Sequence, residues 1–289
     1  MSKLEGKGQF QPSGEIYHGG INREGFKELI QSLLQKGKIK QHYIEELLNE
    51  DNMLKFNKAF TSKTANEEEN YEIYEQLGDL SANKFIVWYA YRRFPQLDCP
   101  LGVKVVARLR INYGSRQTFS MIGEKLGFWP YITADMEERN RSKKDLLEDC
   151  VESFIGCVED ILDKKFRPGV GYAIVYDILS SIFDEIPISL RYEDLYDAKT
   201  RLKELFDSYS ELGSWKFNET RNPETNMVTS QLLMTYNTPK GLSKEEVIGY
   251  GVAAKKADAQ QEAAKVGLEN LNKAGWKKSI SEEYKYFCS

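Results

Sequence analysis

Histidine is scarce in this chain, with only His18 and His42 among 289 residues. Both lie near the N-terminus, and neither stands beside a serine or cysteine motif, so ordinary surface positions explain them best. Catalysis by a histidine pair or triad therefore has little support. Any chemistry is expected to use carboxylates and a metal ion instead.

Cysteine is scarce too, and the four cysteines show no Cys-x-x-C spacing. Cys150 and Cys157 fall on a predicted core face, whereas Cys99 and Cys288 lie elsewhere. This pattern is typical of free thiols in a reducing compartment and argues against a zinc site. The sequence shows no signal peptide and no long apolar run, which predicts an intracellular protein, cytoplasmic or nuclear, with no membrane partner.

The chain also lacks an excess of positive charge, since its formal net charge is −4. This total gives no hint of nucleic-acid binding, but it does not exclude it, because local clusters of Lys and Arg decide such binding. The length allows two domains.

What the sequence does contain is acidic pairs on predicted helices. A helix is predicted from Tyr71 to about Arg93, and Glu75 and Asp79 share one face of it because they are four residues apart. Gly78 lies between them, and a glycine within a helix usually has a packing or access reason. Two carboxylates without an intervening cation repel each other, so the pair is better suited to hold a divalent metal.

A second helix repeats this arrangement downstream. It is predicted from Lys144 to Ile161, with Asp149, Glu152 and Gly156 together on one side. Four hard oxygen ligands suit Mg²⁺ or Mn²⁺. Apolar residues form lines at helical spacing on both helices: Ile73, Leu77 and Leu80 on the first, and Leu146, Cys150, Phe154 and Cys157 on the second.

These motifs resemble those of the ribonuclease III family. Residues 75–79, E-Q-L-G-D, are similar to the family signature E-F-L-G-D, and residues 149–156, D-C-V-E-S-F-I-G, are similar to D-x-x-E-A-x-x-G. Residues 59–62, A-F-T-S, stand where the family often reads A-L-T-H, and residues 108–110 match its R-L-R. The order and spacing agree over residues 45–185.

The resemblance implies an all-α endonuclease domain that cleaves double-stranded RNA to 5′-phosphate and 3′-hydroxyl ends. It implies that Mg²⁺ is the cofactor, for which Mn²⁺ can substitute, and that the catalytic metal ligands are Glu75, Asp79, Asp149 and Glu152. It also implies a homodimer, in which the signature helices meet and each subunit cuts one strand.

The periodicity changes in the last third of the chain. A helix is predicted at 197–209, strands at 215–221, 227–236 and 246–250, and a helix at 253–272. This α-β-β-β-α order resembles the double-stranded-RNA-binding domain, a small α+β fold. K-T-R-L-K-E-L at 199–205 is similar to that domain's K-T-x-L-Q-E-L, and G-Y-G at 249–251 followed by K-K at 255–256 is similar to its G-x-G-x-S-K-K.

This second resemblance implies a set of RNA-binding residues. They are Thr200, Lys203, Glu204, Asn222, Pro223, Thr225, Lys255 and Lys256. The lysine pair is expected at a helix N-terminus, where the helix dipole and backbone N–H groups favour a phosphate. Thr225 replaces the usual loop histidine, and the gap between Gly251 and Ala259 is longer than the common spacing, which leaves open which lysines meet phosphate.

The chain is thus divided into five predicted segments. They are a mobile tail (1–20), the endonuclease domain with an N-terminal helical extension (21–186), a linker (187–195), the RNA-binding domain (196–275) and a C-terminal tail (276–289). No strand is predicted before residue 210. The charged stretch 136–144 is predicted to be a solvated loop, with the alternative that Lys143 or Lys144 approaches a phosphate near the acids.

A second function stays open, that of a duplex-RNA-binding protein that kept the fold without strong catalysis. Gln76 replaces the signature aromatic residue, Ser62 replaces the usual histidine, and residues 103–106 lack an acid that many members carry. The enzyme is favoured because degenerate members typically lose one or more of the four acids, and this chain retains them all.

Overall fold

The computed structural model describes residues 14–238, 241–278 and 287, and the chain divides into two compact units, Met1–Ile188 and Ser189–Ser289. The first unit is helical apart from one pair of very short strands, and the second contains a three-stranded sheet. The predicted fold class, an all-α unit followed by a small α-β-β-β-α unit, is confirmed. Residues 1–13 and most of the predicted C-terminal tail lie outside the described residues.

The helices of the first unit follow one another closely. They are α1 (Phe26–Lys36), α2 (Gln41–Leu47), α3 (Glu50–Ala59), α4 (Glu72–Arg93), α5 (Gly102–Tyr113), α6 (Arg116–Lys125), α7 (Met136–Arg141), α8 (Lys143–Lys165) and α9 (Val170–Phe183). In α4, the acids Glu72 and Glu75 occupy the first turn and Arg92 and Arg93 the last. This distribution favours the helix because it complements the helix dipole. Across the described parts of both units, no helix has the length and apolar character needed to cross a membrane.

Helix α8 forms the centre of this unit, packed against α3, α4, α6 and α9. The apolar line predicted for it is buried, as expected, with Leu146, Cys150, Phe154 and Cys157 all at most 3% exposed. Because α8 is enclosed by other helices, its stability depends on their packing rather than on its own helix propensity.

The side of helix α4 that faces the core is not the side that carries the apolar line predicted from the sequence. Its buried line includes Tyr74, Gly78, Ala82, Phe85 and Tyr89. The apolar line seen in the sequence is exposed, with Ile73 at 58%, Leu77 at 42% and Leu80 at 69% of their full accessibility. The small residues of the buried line allow a neighbouring helix to approach closely, so size rather than hydrophobicity decides which side faces α8.

The N-terminal segment corrects two expectations. Strands β1 (Ile16–Tyr17) and β2 (Ala134–Asp135) pair antiparallel, although no strand was expected before residue 210 and residues up to 20 were expected to be mobile. Arg139 explains this attachment. Its guanidinium lies 3.8 Å from the ring centres of both Tyr17 and Trp129, so it fixes the segment by stacking.

The charged stretch 136–144 is helical rather than the solvated loop expected from its composition, since it forms α7 and the start of α8. Asp135 caps α7, because its side chain accepts a hydrogen bond from the backbone N–H of Glu137 at 2.7 Å. Lys143 is paired with Glu124 at 3.0 Å, whereas Lys144 is exposed. Charge density alone could not distinguish a capped helix from a loop.

The second unit has the element order expected from the sequence. Its elements are α10 (Tyr192–Leu195), α11 (Ala198–Ser208), β3 (Ser214–Arg221), β4 (Val228–Asn237), β5 (Ser243–Ala253) and α12 (Lys256–Lys273). The strands form one antiparallel sheet in the order β3-β4-β5. The structure departs from the prediction in several places: α10 lies within the stretch assigned to the linker, β5 is longer at both ends, and α12 begins at Lys256 rather than at residue 253.

Glycines in β5 allow α12 to lie directly on the sheet. A Cβ atom on Gly249 would lie 2.1 Å from the carbonyl oxygen of Ala263, and one on Gly251 would lie 2.3 Å from that of Ala259. Any larger residue at these positions would push the helix away. The alanines predicted for the last helix are therefore paired with the glycines of the last strand, and this contact sets where the N-terminus of α12 lies.

Candidate active site and nucleic-acid interface

Helices α4 and α8 cross with their backbones in contact, at the point where Gly78 faces Gly156. A Cβ atom on Gly78 would lie 1.7 Å from the carbonyl oxygen of Glu152, and one on Gly156 would lie 2.1 Å from that of Tyr74. Real Cβ atoms cannot approach so closely, so no other residue fits either position without moving the helices. Gly78 therefore has the packing role that its place within a helix suggested.

This crossing brings the four predicted acids into one cluster. The pKa of Glu152 is raised to about 8, first by burial and then by the negative charge of Asp79. The pKa of Asp149 is raised to about 7, again first by burial, with Glu75 among the charges that add to the effect. Each carboxylate thus lies within electrostatic reach of carboxylates from the other helix.

A fifth carboxylate, Glu148, belongs to the same cluster and was missed in the sequence. Burial raises its pKa, and its charge in turn raises the pKa of Glu152. Arg116 restrains it from α6, with Nε 2.8 Å from Glu148 and a second nitrogen 2.7 Å from Asp145. The adjacent acids at 148–149 could have been noticed in the sequence. The contact with Arg116 could not, because it joins distant parts of the chain.

Neutral donors hold the two aspartates of the cluster. The Tyr71 hydroxyl donates to Oδ2 of Asp149 at 2.8 Å. The Asn83 amide donates to Oδ1 of Asp79 at 2.7 Å and to the Asp79 carbonyl oxygen at 2.9 Å. Such hydrogen bonds restrict how a carboxylate can rotate, which is how outer residues usually orient metal ligands.

The carboxylates of the cluster are suitable ligands for a divalent cation, although they do not converge on a single point. Among the described residues, no three acidic, histidine or cysteine side chains converge closely enough to form a ready metal site. Mutual repulsion favours rotamers that hold the carboxylates apart. Oxygen ligands of this kind are those that Mg²⁺ and Mn²⁺ prefer, and a cation would offset the mutual repulsion of the ionised carboxylates.

In the second unit, the β3–β4 loop (222–227) and the N-terminus of α12 lie at the same end of the sheet. This follows from the register, because Val228 pairs with both Arg221 and Ala253. The loop is an Asx turn, in which Oδ1 of Asn222 accepts from the backbone N–H of Thr225 at 3.0 Å. The predicted RNA-binding residues of these two segments are all exposed: Asn222, Pro223, Thr225, Lys255 and Lys256.

The two lysines differ in their surroundings. Lys256 is 3.3 Å from the carboxylate of Glu219, whereas Lys255 forms no ion pair with any other residue that the structure describes. Lys255 also occupies the N-cap position of α12, and its side chain makes no capping hydrogen bond there. A phosphate approaching this helix end would therefore meet Lys255 without first displacing an acid.

The remaining predicted RNA-binding residues lie on α11. Thr200 donates its hydroxyl to Asp197 at 2.6 Å as part of the helix cap, and Lys203 is exposed. Glu204 accepts hydrogen bonds from Tyr192 and from Lys278, so its carboxylate already has partners within the unit. Their RNA contacts stay a prediction, and Glu204 is the member least free to make one.

Comparison with known proteins agrees with this arrangement. The family model of the Ribonuclease III domain matches residues 72–159, a stretch that contains all four acids. A putative ribonuclease 3 of Invertebrate iridescent virus 6 is 41% identical over 276 residues, which cover 91% of each chain. A putative ribonuclease 3 of Frog virus 3 (isolate Goorha) is 37% identical over 246 residues, covering 84% of this chain and 62% of that protein.

Among solved structures, the nuclease domain of ribonuclease III from Campylobacter jejuni covers 55% of this chain and 99% of its own, at a TM-score of 0.42 and 23% identity. A likeness this distant adds little to the sequence relationship, which extends over most of the chain. The family model, the viral relatives and the acidic cluster lead to the same assignment. The chain belongs to the ribonuclease III family, whose members are endoribonucleases.

Proposed function

We propose that this endoribonuclease uses Mg²⁺ to cleave double-stranded RNA, leaving 5′-phosphate and 3′-hydroxyl ends. The observation that supports this most is the meeting of two acidic pairs, Glu75 with Asp79 and Asp149 with Glu152, where α4 crosses α8. The product ends follow from the family resemblance.

These four carboxylates would hold the cation. Bound there, Mg²⁺ would polarise the scissile phosphate and lower the pKa of a water molecule that attacks it. The protein contributes a partly buried position, in which charges interact more strongly than they do in water. Asp149 and Glu152, with pKa values of about 7 and 8, must lose their protons for the cation to bind, so metal affinity should rise with pH in this range.

The second unit would hold the duplex. Its exposed loop at 222–227 and the lysines at the start of α12 lie at one end of the sheet, as a module that contacts successive grooves requires. A-form RNA presents 2′-hydroxyls in a wide, shallow minor groove, and DNA does not. Duplex RNA should therefore bind better than single-stranded RNA or duplex DNA.

The exposed line on α4 supports a homodimer. Ile73, Leu77 and Leu80 are joined further along the helix by Val87 and Tyr91, all of them at least 38% exposed and separated by three, four or seven residues. Such spacing places them on one stripe of the helix surface. An exposed apolar stripe of this kind typically marks an interaction surface, and a second copy of α4 would cover it.

Sedimentation velocity at micromolar concentration tests the dimer. The wild-type protein should sediment as a dimer, and Leu77→Glu combined with Leu80→Glu should give a folded monomer, because charges would then face each other across the contact. We expect a weaker dimer than the family usually forms, since exposed Gln76 stands in place of an aromatic residue. Wild-type protein that stays monomeric with and without duplex RNA would contradict it.

Cleavage itself is tested by incubating purified protein with long duplex RNA, with Mg²⁺ and with a chelator. The enzyme should cut only with the metal, and its products should accept 5′-end labelling only after phosphatase treatment. Binding without cleavage at any Mg²⁺ concentration would instead support the non-catalytic alternative. Among the departures behind that alternative, Ser62 has a structural partner, because its hydroxyl donates to Glu138 at 2.7 Å.

A further inference from the structure

Tyr71 is held firmly beside the acidic cluster. It directly precedes α4, it is 5% exposed, and its ring belongs to the hydrophobic core of the first unit. Its backbone N–H donates to the carbonyl oxygen of Thr61 at 2.9 Å. Because the ring and the backbone are both fixed, the hydroxyl has little freedom to follow a moving partner.

The partner of this hydroxyl is a charged ligand candidate rather than a backbone carbonyl. The hydroxyl donates to Oδ2 of Asp149 at 2.8 Å and so occupies one of the acceptor positions on that oxygen. A hydrogen bond to an ionised carboxylate stabilises the ionised form, which is the form that binds a cation. It also fixes the plane of the carboxylate against the repulsion of its acidic neighbours.

We propose that Tyr71 is a positioning residue of the metal site, whose hydroxyl holds Asp149 in the orientation that binds the divalent cation. This inference rests on the proposed metal-dependent function. The simpler alternative is a core tyrosine whose hydroxyl merely needs an acceptor. The two differ in what removal of the hydroxyl does to metal affinity, since a purely structural hydroxyl would affect stability alone.

The test uses Tyr71→Phe in the full chain, with Mn²⁺ as the probe and no RNA present. Titration calorimetry and the electron paramagnetic resonance signal of free Mn²⁺ give the affinity. Loss of an outer hydrogen bond to a metal ligand typically weakens metal binding about 10-fold or more, and we expect a loss of that size. The Mg²⁺ concentration for half-maximal cleavage should rise by a similar factor, while activity at saturating Mg²⁺ and duplex-RNA affinity change little.

Tyr89→Phe is the matched control. Tyr89 is 6% exposed on the same helix, and its hydroxyl also donates to a carboxylate, that of Asp184, at 2.7 Å. Both variants lose a buried hydroxyl and its hydrogen bond to a carboxylate, and Tyr89→Phe also loses the hydrogen bond that the Tyr89 hydroxyl accepts from Arg93. Thermal melting should therefore show a loss of stability for Tyr89→Phe at least as large as that for Tyr71→Phe. Tyr89→Phe should keep wild-type Mn²⁺ affinity.

The outcomes separate the inference from the function on which it rests. Wild-type protein that binds no Mn²⁺ would overturn the metal-dependent function itself. Wild-type protein that binds Mn²⁺ no better than Tyr71→Phe does would overturn the role of Tyr71 alone. A double-mutant cycle distinguishes this role from a folding defect. In an Asp149→Asn background, Tyr71→Phe should cause no further loss of Mn²⁺ affinity. An added loss of about 10-fold there would show that the hydroxyl acts by another route.

Discussion

The acidic cluster of the first unit and the basic surface of the second are built in opposite ways. The cluster lies where two helix backbones touch, and its members Glu152 and Asp149 have pKa values well above those of free carboxyl groups. The surface consists of exposed side chains, such as Lys255 and those of the loop at 222–227. The acids of the cluster are thus partly buried and coupled to one another, whereas the side chains of the basic surface are exposed to solvent.

This difference predicts how each region responds to change. In the cluster, the pKa of Glu152 is raised first by burial and then by the charges of Asp79, Glu148, Glu75 and Asp149, so the effects of single substitutions should not be additive. On the surface, each cation should contribute separately through phosphate contacts, and losses should add. A single substitution in the cluster should therefore abolish most RNA cleavage, whereas each substitution on the basic surface should weaken RNA binding by a separate, smaller amount.

The largest expected effect is that of Glu152→Gln on RNA cleavage. An amide cannot neutralise a cation, so we expect Mg²⁺-dependent cleavage to fall by more than about 100-fold, beyond the usual cost of losing an outer residue. Duplex-RNA affinity, measured by electrophoretic mobility shift in a chelator, should stay within about twofold. The comparison of cleavage and binding on one protein tests whether the two regions act separately.

Glu159→Gln provides the control for that change. Glu159 lies on α8 two turns beyond Glu152, and it is a partly buried carboxylate that accepts a hydrogen bond from Ser81 rather than belonging to the cluster. The Glu159→Gln variant should cleave duplex RNA as fast as the wild-type protein. Wild-type cleavage by Glu152→Gln, or equal damage by both variants, would contradict the assignment of the metal ligands.

The sequence was sufficient for the fold class of both units and for the two acidic pairs that meet in the cluster. Helical spacing placed Glu75 with Asp79 and Asp149 with Glu152, and the structure joins the two pairs. Spacing within one helix could not show the other contributors, because Arg116 and Tyr71 reach the cluster from distant parts of the chain. Contacts of that kind depend on how helices pack, which local patterns do not encode.

The failed expectations have related causes. On α4, the buried side is set by the small residues at the crossing, whereas a hydrophobicity pattern favours the exposed line that contains Leu77 and Leu80. At residues 136–144, the charged composition hides a helix cap and the burial of Arg139 between two aromatic rings. The contact of α4 with α8 and the stacking of Arg139 on Tyr17 and Trp129 both join residues that are well separated in the sequence.

The crossing itself offers the second test. In Gly78→Ala the new methyl group would overlap the carbonyl oxygen of Glu152, 1.7 Å from it, so α4 and α8 must separate. We expect a loss of about 3 kcal/mol in unfolding free energy, at the upper end for overpacking, and a clear loss of Mn²⁺ affinity. Urea denaturation and Mn²⁺ titration measure the two effects.

Gly169→Ala separates packing from backbone strain. Gly169 has a φ of 93° with nothing within 4 Å of a Cβ position, so alanine there costs about 1–2 kcal/mol of strain without moving any helix. Metal affinity should be unchanged in this control. If Gly78→Ala kept both stability and Mn²⁺ affinity, the cluster would not depend on the contact of the two backbones.

Ionisation of the cluster gives a third and smaller effect. The pKa of Asp149 is raised from 3.8 to about 7 and that of Glu152 from 4.5 to about 8, so both stabilise the folded chain when protonated. Their contribution is present at acidic pH and is lost as the pH rises through 7 and 8. With a chelator present, we expect unfolding free energy to fall by about 2 kcal/mol between pH 6 and pH 9, after allowance for solvent screening.

Differential scanning calorimetry at several pH values measures this loss. Mg²⁺ should abolish most of it, because the cation neutralises the ionised carboxylates, and Glu152→Gln should reduce it in the chelator to the part that Asp149 contributes. A metal-free protein whose stability stays constant or rises between pH 6 and pH 9 would show that folding does not raise the pKa values of Asp149 and Glu152.

The smallest expected effects concern the lysines of the second unit, and they test whether this surface is additive. Lys255 has no ion-pair partner among the described residues, whereas Lys256 is paired with Glu219, so Lys255→Ala should weaken duplex-RNA binding more than Lys256→Ala does. We expect a loss of about 3- to 10-fold for Lys255→Ala and a decrease of about 1 in the slope of log affinity against log salt. Lys265→Ala, a charge loss at an exposed position further along α12, should leave that slope unchanged.

Binding is best measured in a Glu152→Gln background, which prevents cleavage during the titration. If each lysine meets its own phosphate, the double variant should show the sum of the two free-energy losses. A loss larger than that sum would mean that the N-terminus of α12 behaves as a coupled site like the acidic cluster. Equal effects of Lys255→Ala and Lys265→Ala would mean that only net charge matters, and the proposed phosphate contact at the start of α12 would then be wrong.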